Sequence, residues 1–356
     1  MLHQLDETDP IVLEPEEDED QGVYGGGSDD CMPGLSGVTV SIVGEGDDSF
    51  VGRIIDAALS VDIAIQGDNY VLAMPGAEPG KPTVKHGWLF EECTSFVGEG
   101  DEEDDDEDWD YGQVTSVRYH DDGRTVMFSR EPARVLIQAH PTDLDLQVIE
   151  LPGESVFDTG HEIFHRSTES GLSCASCHPE GGDDGHTWNF AELGRRRTQA
   201  LDVGLAGTEP FHWDGDMQDM NMLMGEVLAH RMGGSRQSED RRDSFKAWLF
   251  AQERPPANPG LDDPTEVDLG RELFASYGCG TCHVGTGLGG SLTTEIRGES
   301  LQVPVLRRVS LRPPFMHDGR AATLEEAVRD MLLTANGIDS PLQADVEAMT
   351  AYMRSL

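Results

Sequence analysis

Basic residues are scarce in this chain. Its 356 residues hold 25 Lys and Arg against 68 Asp and Glu, a formal net charge of −43. A surface of that sign repels phosphate backbones and argues against nonspecific nucleic-acid binding. It is compatible with steering a basic partner or with life in a saline habitat. Long apolar runs are missing too: no stretch approaches the roughly 20 apolar residues of a membrane span. The segment Met1 to Asp20 is acidic and lacks the apolar core of a secretion signal. Much of the acid is local, in Glu16 to Asp20 and in the unbroken run Asp101 to Asp108. That run lacks the regularly spaced ligands and turn glycine of a calcium loop, so a solvated, self-repelling loop is expected there. Cysteine is sparse, and four of the six cysteines fall in two short clusters.

Those clusters are Cys174-Ala175-Ser176-Cys177-His178 and Cys279-Gly280-Thr281-Cys282-His283. CxxCH is the attachment pattern of c-type haem. Two thiols add across the haem vinyl groups, and the adjacent imidazole supplies a proximal nitrogen to iron. The competing readings are half a zinc site or a redox-active thiol pair. Cys177 lies 102 positions before Cys279, whereas a zinc ribbon brings its pairs within roughly 15 to 20 residues. Two c-type haems are therefore expected.

The flanks repeat as well. Gly160-His161-Glu162-Ile163-Phe164 precedes the first motif and Gly270-Arg271-Glu272-Leu273-Phe274 the second, each with the pattern of a short amphipathic helix. A Pro-Phe-x-x-Asp-Gly segment follows each motif, at Pro210 to Gly215 and Pro314 to Gly319. Helical spacing closes each half, over Asp243 to Gln252 and Gln343 to Leu356. One cytochrome-c-like unit is written twice, with first and last helices available to pack on each other.

Before these units the sequence is β-rich. Short alternating or β-branched runs occur at Val38 to Val43, Val61 to Ile65, Tyr70 to Met74, Val114 to Tyr119, Thr125 to Ser129, Arg134 to Gln138 and Leu144 to Leu151. Turn signals separate them, including Gly67-Asp68-Asn69 and Asp121-Asp122-Gly123. Strand, turn, strand and further strand is how a propeller blade reads, and there is room for two or three blades, too few for a closed ring. A small β-sandwich is the alternative. The expected fold is multidomain α plus β: two tandem cytochrome-c-like helical haem domains after an N-terminal, β-rich, propeller-like segment. The expected boundaries are 1–35 for an acidic, Gly-rich linker, 36–151 for the β-region, and 152–254 and 261–356 for the two haem domains. The linker Arg254 to Gly260 separates the last two.

The last two hundred residues resemble the bacterial dihaem cytochrome c peroxidase family, which includes the dihaem enzyme that matures the tryptophan-derived cofactor of methylamine dehydrogenase. The paired CxxCH motifs carry the resemblance, with Val303 to Val309 leading into Pro314-Phe315-Met316-His317-Asp318-Gly319-Arg320 and on to Val328. The resemblance implies a division of labour. The C-terminal haem is a His/Met electron-transfer centre, and the N-terminal haem is where peroxide is cleaved. Covalent haem is assembled outside the cytoplasm in such proteins, which implies a periplasmic or secreted location. An oxidising compartment also allows a disulfide between the remaining cysteines, Cys31 and Cys93. The absence of a visible signal then suggests that Met1 is not the natural start.

Residue by residue, the resemblance implies His283 as proximal ligand of the C-terminal haem and Met331, fourteen positions after His317, as its distal partner. Met331 sits where the maturation enzyme has Tyr, which favours the peroxidase branch. His178 is the proximal ligand of the first haem. Its distal side has three readings: His186, Met232 by analogy with Met331, or an open site. Glu226 and His230 are the polar groups nearest the family's distal Gln and Glu, which do not fall at matching positions. Trp213 matches the Trp placed between the haems, and His317 the His at the same interface. Arg197 and Arg307 are candidate propionate partners, with surface ion pairs as the alternative. The family's interdomain calcium ligands fall here at Arg197 and Arg312, and two cations there argue against calcium. The implied reaction is reduction of hydrogen peroxide with electrons from a small redox protein, a small cytochrome c or a cupredoxin. Modification of a protein Trp or Tyr, and simple dihaem electron transfer, are the alternatives.

Overall fold

The computed structural model describes residues 2–6, 10–11, 36–42, 50–55, 59–77, 81–89, 110–143, 145–168, 170–253, 260–285, 287–290 and 292–356. Cys31, Cys93, the acidic runs at 16–20 and 101–108 and the linker 254–259 lie outside these residues. The disulfide, the solvated loop and the interdomain spacer are therefore not described. The chain divides into two compact units, one of Met1–Ser176 with Leu228–Arg236, the other of Cys177–Val227 with Gln237–Leu356.

The first unit is built from three antiparallel sheets. Strands β1 (Leu2–Asp6), β2 (Ser36–Ile42) and β3 (Phe50–Ile55) form one. Leu2–Asp6 thus forms a strand within a segment whose composition reads as linker, because the backbone of β2 pairs with it from Leu2↔Val40 to Asp6↔Ser36. Strands β4 (Asp62–Gln66), β5 (Asn69–Ala73) and β6 (Val84–Trp88) form the second sheet. Its first hairpin turns on Gly67-Asp68, between partners Gln66 and Asn69, and Gly67 takes φ +62°, a conformation glycine adopts without steric cost. Strands β7 (Val114–Tyr119), β8 (Thr125–Ser129), β9 (Arg134–Gln138) and β10 (Gln147–Glu150) form a four-stranded meander.

Val71, Val84, Val114, Val117, Met127 and Leu136 make one buried cluster across the second and third sheets. The Asp62 carboxylate ties the same two sheets together. It accepts from Ser116 Oγ (2.8 Å), Val117 N–H (3.0 Å) and Arg118 Nη1 (2.7 Å). Burial works against the charged carboxylate, but these donors outweigh it and hold its pKa below the ordinary value. Helix α1 (Thr159–His165) follows, with the Asp158 side chain accepting from His161 N–H at its start.

Helix α2 (Cys174–Cys177) is the first CxxC turn. The second unit contains the hairpin of β11 (Thr187–Phe190) and β12 (Gly194–Arg197). Helix α3 (Met220–Leu223) runs on as a π-helical segment over Met224–Arg231. Helix α4 (Glu239–Phe250) begins four residues before the apolar spacing at Asp243 signals it, since its first turn is charged. Helix α5 (Pro264–Ser276) leads to the second CxxC turn, and β13 (Thr293–Ile296) and β14 (Glu299–Gln302) form a second hairpin. Helices α6 (Leu324–Thr334) and α7 (Gln343–Arg354) close the chain.

Helices α5 and α7 pack on each other, as the repeat predicts. Gly270 permits it: a Cβ there would stand 2.0 Å from the carbonyl oxygen of Ala348. Phe274, Leu332, Val346, Met349 and Met353 fill the core between α5, α6 and α7, with Cys279 against its edge.

Candidate haem site

The second CxxCH motif opens onto a cavity of about 350 Å³, within the usual range of roughly 300–1,000 Å³ for small-molecule sites. Cys279, Cys282, His283 and Met331 all line it, with Trp213 and His317. Met331 reaches the wall because α6 is well anchored. Thr323 caps it by accepting from Glu326 N–H, and the Glu326 carboxylate accepts from Thr323 N–H in return. His283 Nδ1 lies 3.0 Å from the Leu288 carbonyl oxygen. A carbonyl only accepts, so Nδ1 carries the proton and Nε2 the lone pair, the tautomer a metal-ligating imidazole needs. Burial also holds the His283 pKa below its ordinary value and pushes the Cys279 thiol up. Neutral sulfur and neutral imidazole facing a largely apolar cavity, with a thioether among its lining residues, fit a covalently attached haem with His and Met ligands.

The first motif repeats the local chemistry. His178 Nδ1 donates to the Gly182 carbonyl, at the longer distance of 3.4 Å. Burial lowers the His178 pKa and pushes the Cys174 thiol up to about 12. The loop that follows is fixed by a buried ion pair: Arg197 Nη2 lies 2.6 Å from Asp183 Oδ1, and both side chains are only 5% exposed. His186 is half-buried. Its N–H donates to Asp184 Oδ1 (2.8 Å), and its ring stands edge-on to Trp188 at 4.4 Å. Glu226 and His230 both lie on the π-helical segment after α3. Met232 is buried, and its carbonyl accepts from Ser170 Oγ (2.9 Å).

The two Pro-Phe-x-x-Asp-Gly loops have one backbone design. Phe211 N–H donates to Met217 O at 2.7 Å, and Phe315 N–H to Ala321 O at 2.7 Å. His212 and Met316 take positive φ of 66° and 72°, and Gly215 and Gly319 take 65° and 66°. Each loop docks on the hairpin belonging to the other repeat. Gln302 N–H, on β14, donates to Trp213 O (2.7 Å), and Arg197 N–H, on β12, donates to His317 O (2.6 Å). The Trp213 indole N–H donates to the Arg197 carbonyl (2.7 Å), and its ring meets His317 edge-on at 6.2 Å. Trp213, Arg197 and His317 thus form one closed contact. His317 is buried, and burial lowers its pKa despite nearby Asp318 and Glu299. Asp318 itself pairs with Arg320 (2.8 Å).

The Arg197 guanidinium is committed to Asp183 and to the Thr198 carbonyl (2.7 Å). Arg307 lies beside Gly204, its Nη1 3.1 Å from where a Cβ there would sit. Arg312 and Arg320 line the cavity with Arg197, and sequence reading did not select them as haem partners. Arg320 is held by Asp318 and by Asp330 (2.7 Å). Sequence reading also missed Asp183 and Gln302. Superposing the two CxxCH motifs would have pointed to Gln302 as the counterpart of Arg197, each 23 positions after the first Cys of its motif.

No protein-family model matches the chain. Cytochrome c551 peroxidase of Nitrosomonas europaea is 26% identical over 273 residues, covering 58% of this chain and 78% of that protein. Cytochrome c peroxidase Ccp of Escherichia coli is 34% identical over 295 residues, covering 64% of this chain and 61% of that protein. This chain thus spans about three-fifths of the length of the second relative. Among solved structures, hydrazine synthase of Kuenenia stuttgartiensis has a TM-score of 0.44 at 16% identity, covering 55% of this chain and 86% of that one. A MauG-like protein associated with microbial copper homeostasis has a TM-score of 0.42 at 16% identity, with the same coverage. The chain is thus similar to two bacterial cytochrome c peroxidases.

Proposed function

We propose that this protein is an oxidoreductase, a dihaem c-type cytochrome peroxidase that reduces hydrogen peroxide to water. The observation that carries the reading is the cavity on which Cys279, Cys282, His283 and Met331 converge. The relationship to two bacterial peroxidases supports it. Cys174, Cys177 and His178 would hold one haem, and Cys279, Cys282 and His283 the other, with Met331 as sixth ligand. Haem iron supplies one-electron redox chemistry and a centre at which a peroxide bond can break.

The chain's own residues divide the remaining work. Leu288 and Gly182 fix the tautomers of His283 and His178 through their carbonyls. Asp183 and Arg197 stiffen the loop after His178, and the Trp213–Arg197–His317 contact joins the two repeats. The C-terminal half would receive electrons from a small redox protein, a small cytochrome c or a cupredoxin. The N-terminal half would be the peroxide side, with His186, Glu226 and His230 as the groups able to move the two protons each peroxide consumes. Trp213 would serve between them. Arg197 and Arg312 occupy the positions of the family's calcium ligands, so calcium is not part of the proposal. The location would be periplasmic or secreted; among the described residues no helix is long and apolar enough to cross a membrane. The domain reading that goes with this proposal is a partial propeller over 36–151 and haem domains over 152–254 and 261–356.

A pyridine haemochrome assay should give two covalent haems per chain. Peroxide consumption should require a reduced donor and should rise when the protein is half-reduced. Two haems without peroxide turnover would favour simple electron transfer, and one haem or none would overturn the reading.

A further inference from the structure

A pair of histidines lies outside the haem motifs, on helix α1. His161 and His165 stand four residues apart, so they share one face of the helix. Their rings stack with centroids 4.0 Å apart and planes 25° from parallel. Each ring offers a nitrogen, and these lie within 4.8 Å of each other. His165 Nδ1 is 2.8 Å from the His161 carbonyl oxygen. The carbonyl can only accept, so Nδ1 carries the proton and Nε2 the lone pair.

The state of His161 follows from its neighbour. Arg130 Nη1, in the turn after β8, lies 3.2 Å from His161 Nδ1 and 2.9 Å from Nε2. A guanidinium has no acceptor and does not lose its proton. It must therefore meet a lone pair on His161. Imidazole nitrogens are donors that divalent transition metals take, and a cation already sits against one of these rings. Glu162, between the two, is buried and ion-paired with Arg166. That engagement withholds it as the general base which a His-Glu-x-x-His helix supplies in metalloproteases, so the chemistry here is metal holding.

We propose that His161 and His165 form a chelate for a divalent transition ion of the imidazole-preferring class, copper, zinc or nickel. Water or a carboxylate would complete its coordination, and Arg130 acts as an internal competitor for the site. The inference does not depend on the haem reading, because neither histidine belongs to a CxxCH motif.

The test uses the haem-loaded, full-length protein, treated with a chelator and then titrated with Cu(II) and, separately, Zn(II). Calorimetry should show one tight site per chain. The Cu(II) resonance spectrum at liquid-nitrogen temperature should carry superhyperfine structure from imidazole nitrogens. His161→Ala and His165→Ala should each weaken binding by at least about tenfold, the lower limit of what even an outer-shell change typically costs. Arg130→Ala should tighten it, an effect that a merely damaged fold does not produce. Haem content and haem spectra should stay unchanged in all three variants, which separates failure here from failure of the peroxidase reading. Purely oxygen-ligated copper in the unaltered protein would overturn the proposal. So would tight binding that survives in the double variant, since the ion would then sit on the acidic surface or on other histidines.

Discussion

The two Pro-Phe-x-x-Asp-Gly loops are almost the same object in backbone and different objects in side chain. Both close with a Phe N–H to carbonyl bond of 2.7 Å, both use a positive-φ residue after the Phe, and both end on a glycine near φ +65°. One presents Trp213 and the other His317 at the equivalent place. The hairpins that receive them differ in parallel, Arg197 on one side and Gln302 on the other. The two loops share what the backbone requires and differ in what the chemistry can use. The electrostatics follow the same split. Asp214 is met by Arg196 from β12 (3.2 Å), whereas Asp318 is met by Arg320 of its own loop (2.8 Å).

The largest expected effect breaks the comparison outright. If the repeats carry one haem each, Cys279→Ala with Cys282→Ala halves the haem content in a pyridine haemochrome assay. The remaining haem should keep its spectrum, since the first motif has its own His178–Gly182 contact. Loss of both haems would mean that the repeats do not mature separately.

The next effect separates the two methionines that the repeat sets in correspondence. Met331 lines the cavity beside His283. Met331→Ala should lower the potential of that haem by on the order of 0.1 V, a fraction of the roughly 0.8 V that axial ligands span. It should also remove the sulfur-to-iron band. Met232→Ala should leave both untouched, and its cost should be that of a buried methionine, about 2–5 kcal/mol. A potential that shifts with Met232 instead would exchange the roles of the repeats.

Much of this was legible in the sequence, and the reasons differ by region. The CxxCH motifs are local, covalent patterns, so spacing alone identifies them. Helices α5 and α7 and the strands β7, β8 and β9 are marked by strong apolar periodicity. The hairpins β11–β12 and β13–β14 are not. Gly194-Arg195-Arg196-Arg197 carries no alternation, and it is a strand because Thr187–Phe190 pairs with it and His317 docks on it. The buried Asp183–Arg197 pair was not legible either, since nothing in the spacing of the two residues says that they meet. The chain places Arg312 and Arg320 at the cavity wall beside Arg197. Guanidinium groups are long and find carboxylates and carbonyls over several residues, so sequence position does not say which one turns inward.

A smaller effect tests whether the loops are equivalent as backbone. A Cβ on Gly319 would lie 2.4 Å from Thr187 Oγ1, and one on Gly215 would lie 2.6 Å from Thr293 Cγ2. Both positions also require positive φ. Gly215→Ala and Gly319→Ala should therefore destabilise by similar amounts, about 2–5 kcal/mol from left-handed backbone plus overpacking. Gly207→Ala, at φ +76° but with nothing near its Cβ direction, should cost only the backbone part, about 1–2 kcal/mol. Thermal unfolding reads all three. Unequal losses at Gly215 and Gly319 would show that one docking contact carries more of the fold than the other.

The subtlest change asks what the side-chain difference between the loops is for. Trp213→Phe keeps an aromatic edge against His317 but removes the indole donor to the Arg197 carbonyl. Loss of that one bond should cost about 1 kcal/mol of stability. The Trp213 carbonyl still accepts from Gln302 N–H, so the loop stays docked, and both haem spectra should remain near those of the unaltered protein. If Trp213 serves between the repeats, peroxide turnover under limiting internal electron transfer should fall by about tenfold, equivalent to about 1.4 kcal/mol in the barrier. Turnover with saturating reductant and limiting peroxide should change less, because peroxide handling would belong to His186, Glu226 and His230 rather than to Trp213. Equal rates in the two proteins under both conditions would make Trp213 a packing residue. The divergence between Trp213 and His317 would then reflect the fit of each loop to its hairpin alone.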